Sequence, residues 1–349
     1  MNVSELLNLT TWIDEKVVKA QIVKKYEALH SILQQNSQPN QQKQPFESQK
    51  DELITILGGV NLDGLTKDQL NFLNNLGIGN AVGEAGIGLV EDVLFKNVID
   101  VATSAQKVEE IIKRINEGIE KSNQIKAGIE NCTEEEAYEA EDEVLMRIAF
   151  TGKASMSSVT DFKSWGNIWY DIFRGIAMLH NLSPENVKII GATQGSIVLE
   201  LAVIIDIATT ASGIILAALR VTEKVLDIRM KAEEIRELKL KNIKLAKDLE
   251  KEAENEKRIG IDEITVRLVN KFSLDQNNQG DKVTALDKAI NNLVDFVEMG
   301  GEVDFVMSDG KKSDDKENQK EKHELRIVFQ EIRNLERKLS LTESRRDVE

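Results

Sequence analysis

Three runs decide the fold: VLMRIAFT (144–151), VTDFKSWGNIWYDIFRGIAMLHNL (159–182) and VKIIGATQGSIVLELAV (187–203). The first is rich in β-branched and apolar residues and reads as a strand. The second places Phe162, Trp165, Trp169, Ile172, Ile176 and Leu179 three and four residues apart, so the spacing predicts a helix with one apolar face. Ser183, Pro184 and Glu185 stop that helix, and the third run reads as two strands broken by GATQGS at 191–196. The unit is βαββ, with the helix lying on a small sheet.

Working outward, 197–219 has twelve Leu, Ile or Val in 23 residues, long enough to cross a bilayer, yet it contains Glu200 and Asp206. On an insertion scale the apolar residues contribute roughly −4 to −7 kcal/mol and the two carboxylates cost about +5 to +7. The balance is close to zero. Because 197–203 also reads as a strand, the stretch from Ile197 to Leu219 is assigned to a buried strand followed by a buried helix, and membrane insertion is the less favoured reading. From 206 to 258 the pattern is helical, first apolar and then densely charged. Val221, Ile228, Ile235, Asn242 and Leu249 recur every seven residues, beside a weaker seam through Val225, Ala232, Lys239 and Ala246. An Asn in an apolar seam fixes register and strand number in coiled coils. Self-association through this seam and packing of the helix within its own chain both fit.

The N-terminal part is helical. Leu6, Ile13, Val17, Ile22, Tyr26, Leu29 and Leu33 predict one amphipathic helix in 1–33, followed by a Gln-, Asn- and Ser-rich linker at 34–50 with two prolines. A helical region follows over 51–143. Thr66 and Gln69 have capping-box spacing; five glycines between 77 and 88 predict turns between helices; and 104–129 carries Ile and Val on one face. Seven carboxylates in 134–143 read as a solvated face or boundary loop. At the C-terminal end, 259–349 reads as helices near 262–271, 282–299 and 322–339, a strand at 303–307 and a polar loop at 308–320. The fold class is therefore mainly α with a small βαββ sheet (α+β), elongated by long or protruding helices.

Composition agrees. Among 349 residues there are three prolines and 5% aromatics, which favours long helices over a turn-rich β-sandwich. A net charge of −15 disfavours non-specific binding to nucleic acid. The single cysteine, Cys132, cannot form a disulfide within the chain, and the N-terminus meets Asp14, Glu15 and Lys16 before any long apolar core, so a reducing, cytoplasmic setting is expected.

No constellation names a chemistry. Gly77-x-Gly79-x-x-x-Gly83 lacks the preceding buried strand that a dinucleotide loop needs, and Gly310-Lys311 lacks the first glycine of a phosphate loop, where Phe305 stands. His30, His180 and His323 are far apart, so no cofactor or metal is assigned. Trp165 and Trp169 read as core rather than as base-stacking residues.

The runs Phe150-Thr151-Gly152, Ser164-Trp165, 172–177 (IFRGIA) and 190–199 (IGATQGSIVL), in that order, resemble a module of uncharacterised bacterial proteins. There a strand–helix–strand–Gly-Ser–strand unit leads into an apolar and then a charged helix. The resemblance covers about 144–258 and transfers no catalytic residue. Some such modules accompany antiviral or conflict systems, which implies an interaction or adaptor role. The expectation is a non-enzymatic, self-assembling cytoplasmic interaction protein whose partner is another protein or its own copy. Alternatives are a triggered membrane-active effector using 197–219 and an enzyme of unrecognised type.

Overall fold

The computed structural model describes residues 1, 3–39, 41–96, 100–130, 143–193, 197–237, 243–275, 279–307 and 316–346. The described residues are 76% helical, with one small antiparallel sheet among them. The chain divides into two compact units, Met1–Glu139 and Ala140–Glu349, each with its own apolar core.

The first unit contains α1 (Val3–Ile13), α2 (Ile22–Ser37), α3 (Glu47–Gly58), α4 (Lys67–Asn75), α5 (Gly83–Lys96) and α6 (Val101–Ile129). The single helix expected over 5–33 is interrupted by a π-helical turn, Asp14–Val18, and by Gln21 in the left-handed region (φ 58°). The apolar spacing explains the break. Leu9, Ile13 and Val17 step by four residues, but Val17 to Ile22 is a step of five, which would carry Ile22 about 140° off the stripe in a regular helix. Resetting the backbone there returns Ile22, Tyr26, Leu29 and Leu33 to the core, where all are buried with Val108, Ile111 and Ile115 of α6.

The linker is shorter than 34–50, because α2 reaches Ser37 and α3 starts at Glu47. Asn36 clamps it like a strand neighbour: its Nδ2 donates to Gln44 O and its Oδ1 accepts from Gln44 N, both at 2.7 Å. Thr66 and Gln69 form the expected capping box at the start of α4. The glycine-rich stretch is only partly turn. Gly77 and Gly83 have positive φ, but Gly83, Gly86 and Gly88 belong to α5. Gly86 serves close packing, since a Cβ there would lie 2.6 Å from the Ala81 carbonyl oxygen. Cys132 and 134–142 of the acidic run lie outside the described residues.

The second unit contains β1 (Glu143–Ala149), α7 (Val159–Leu179), β2 (Lys188–Thr193), β3 (Val198–Ile204), α8 (Ile205–Glu237), α9 (Ile243–Lys271), α10 (Gly280–Glu298), β4 (Glu302–Val306) and α11 (Lys316–Arg346). The βαββ reading holds for β1, α7, β2 and β3, and β4 joins the same sheet, in the order β2-β3-β1-β4 with every pair antiparallel. Ser158 and Asp161 form a capping box that starts α7. One sheet face, with Met146, Ile148, Leu201, Val203, Val303 and Phe305, enters the core with Trp165, Trp169 and Ile172 of α7 and Ile290, Leu293 and Phe296 of α10. Phe296 meets the rings of Phe150, Trp165 and Trp169 at 5.1–5.5 Å, edge-on in each case. Gly175 lets α7 approach α10: a Cβ there would lie 2.5 Å from Ala285 O.

The expected single helix over 206–258 is two. α8 and α9 pair antiparallel, as Val221 opposite Gly260, Arg229 with Glu254 and Arg236 with Glu250 show. The helix expected near 262–271 is the end of α9. The final helix is longer than 322–339, and 308–315 of the polar loop lies outside the described residues.

Candidate functional site

The alternation of β1 sends Met146 and Ile148 to the core and Arg147 to the opposite face. Register places Arg147 between Glu200 of β3 and Asp304 of β4. Arg147 Nε lies 3.2 Å from Glu200 Oε1, and both side chains are largely buried. On the other side, Arg333 Nε of α11 donates to Asp304 Oδ1 at 2.7 Å. The result is a row Glu200, Arg147, Asp304, Arg333 of alternating charge across three strands and a helix. Gly191 of β2 makes room for it, because a Cβ there would lie 2.7 Å from Glu200 Oε2. A row of this kind fixes register: slipping β1 by one residue would bury Arg147 among Trp165 and Phe296 and leave Glu200 and Asp304 facing an apolar side chain.

The row also treats the two sheet edges differently. At the β4 edge, Glu336 accepts the Val303 N–H at 2.7 Å and Arg333 Nη2 donates to Phe305 O at 3.0 Å. These are outward-facing backbone groups of an edge strand, here satisfied by side chains one helical turn apart on α11, with Phe329 stacked on Phe305 at 4.7 Å. At the other edge, β2 has Ile189 70% exposed and Ile190 37% exposed, with a register shift between Ile189 and Gly191.

The seam residues lie elsewhere. Val221 and Val225 are buried in the core of their own chain, and Gly260 of α9 lies against Val221. Ile228 is half-buried against the same core; Ile235 and Leu249 are half-buried on α8 and α9 respectively; Asn242 lies outside the described residues. The seven-residue period therefore straddles two helices and packs α8 on α9 rather than running along one helix. Lys224–Glu256, Arg229–Glu254 and Arg236–Glu250 flank that packing.

The 197–219 stretch is a strand followed by a helix, as expected. Ile197 is half-buried against the core, Glu200 belongs to the charged row, Asp206 is exposed and Leu219 is buried. Among the described residues α8 alone is long and apolar enough to cross a membrane, and 61% of its apolar window is buried inside the protein.

Two further polar clusters join the helices. Burial pushes the Glu298 carboxyl up, but Lys257 and Arg229 outweigh it and hold the group below its usual range. Lys257 donates to Glu298 Oε2 and to Asp295 Oδ1, each at 2.6 Å, so α8, α9 and α10 meet at one clasp. His180, just past α7, shares a 2.9 Å hydrogen bond with Thr210 Oγ1 of α8, with the Phe272 ring edge-on at 5.2 Å. Burial lowers its pKa, Asp206 raises it and Lys271 lowers it further; the net direction is down.

Pairing of Arg147 with Asp304, and of α11 with β4, joins residues far apart in sequence, so no local motif announces it. The available signal was a charge at the centre of an apolar strand, seen at Arg147, Glu200 and Asp304 alike. Among the described residues no group of three or more His, Cys, Asp or Glu is placed to hold a metal ion. Compared with known protein families, curated proteins and solved structures, the chain matches none.

Proposed function

We propose that the protein is a non-enzymatic, self-assembling interaction protein of the bacterial cytoplasm, and that copies join through the β2 edge of the sheet rather than through a helical seam. The observation that carries this reading is the contrast between the edges. Outward backbone groups of β4 are taken up by Arg333 and Glu336, whereas β2 presents consecutive exposed isoleucines, Ile189 and Ile190. An antiparallel β2–β2 pair about a twofold axis satisfies edge hydrogen bonds and covers the exposed isoleucines of both copies. The helical seam is a poorer candidate because Val221 and Val225 are already buried in their own chain. A role in an antiviral system is part of the proposal and rests on the sequence resemblance.

Sedimentation equilibrium over a wide concentration range tests it. The native protein should have a mass twice that of the chain or a multiple of that, and Ile189→Lys with Ile190→Lys should reduce it to the monomer while far-ultraviolet circular dichroism is unchanged. A native monomer at all concentrations, or an assembly unaffected by the double substitution, overturns the proposal.

A further inference from the structure

We propose that the groove between α8 and α9 binds a soluble organic anion made of one phosphate or carboxylate head on a short apolar body. The helices touch closely at Val221 and Gly260, but towards the start of α8 the facing residues become small: Thr209, Gly213 and Ala217, four residues apart. A Cβ built on Gly213 meets nothing within 4 Å. The groove left there is half open and has a volume of about 280 Å³. Glycine in a helix interior is destabilising relative to alanine, and here no close neighbour requires it.

The lining matches the proposed ligand. Leu216, Ala217 and Leu268 supply apolar wall, while Arg220, Arg267 and Lys271 supply three cations, with no carboxylate among the lining residues. This is a local reversal of charge on a chain whose net charge is −15. Arg220 also holds Glu331 of α11. Arg267 makes no ion pair among the described residues, and the Thr209 hydroxyl is buried with no hydrogen-bond partner among them. A phosphate or carboxylate gives guanidinium groups a bidentate partner, and an apolar body occupies the space that water would fill poorly.

Isothermal titration calorimetry with hexyl phosphate, beside inorganic phosphate and hexanol, tests the assignment. Hexyl phosphate should bind one-to-one, with each half alone at least about tenfold weaker. Arg267→Gln should weaken it about tenfold or more. Gly213→Leu places a side chain in the groove and should abolish binding while raising the unliganded melting temperature, so lost binding cannot be ascribed to unfolding. Absence of binding at millimolar hexyl phosphate, or binding that survives Gly213→Leu, overturns the proposal; equal affinity for inorganic phosphate overturns the apolar body.

Discussion

Arg147 is the side chain on which the sheet's charge balance turns. Arg147→Met leaves Glu200 without its guanidinium and removes the positive member between two carboxylates, so it should cost about 3–5 kcal/mol, measured by urea unfolding. An effect under about 1 kcal/mol would show that water or another cation takes its place. The strand itself was legible, since Met146, Ile148 and Phe150 alternate with it; its partners were not, because strand order is a long-range property that no local pattern encodes. His180 gives a second prediction. Its folded pKa lies below the 6.5 of an unperturbed imidazole, so as pH falls the unfolded chain takes up the proton first. Stability from this group is fully present above pH 6.5 and is lost as pH falls through the folded value. His180→Gln should flatten that part of the urea-midpoint profile between about pH 7.5 and 5; an unchanged profile would assign the slope to other groups.

Elements announced by caps and stripes were readable: α4 by Thr66 and Gln69, and α6 and α7 by their apolar faces. The division between α8 and α9 was not. Residues 238–242, LKLKN, contain neither Gly nor Pro, so intrinsic propensity continues one helix, and the antiparallel pairing is specified by contacts such as Val221 on Gly260. α5 was missed for the opposite reason, because Gly83, Gly86 and Gly88 look like breakers although close approach to Ala81 requires one of them. Helix contacts of this kind are intolerant of bulk. Gly175→Val should push α7 from the Ala285 carbonyl of α10 and cost about 1–3 kcal/mol in denaturant unfolding. α11 can be probed at its contact with the sheet: Glu336→Ala removes the acceptor of the Val303 amide, which should then exchange its hydrogen faster while amides of β3 keep their protection.

At the scale of the molecule, two cores imply that destabilisation is felt locally. Gly118→Val, whose Cβ would lie 2.4 Å from Leu76 O, belongs to the first unit, whereas Trp165 and Trp169 report on the second. With Trp12, which packs on the first core, replaced by Phe, this substitution should bring an earlier melting step into the far-ultraviolet circular dichroism of the helices while the near-ultraviolet signal of Trp165 and Trp169 keeps its midpoint. Both apolar clusters could be anticipated from periodicity, but the polar links that close the second unit could not. The sheet order also has a consequence for synthesis. β1 pairs with β4, which leaves the ribosome roughly 150 residues later, about 8–30 s at ~5–20 residues per second. Throughout that interval the nascent chain holds β1 with one side unzipped and Arg147 without Asp304, so translation through β4 and α11 is the step after which the sheet can complete its hydrogen bonding, and a message cut before β4 yields a chain with an open sticky strand.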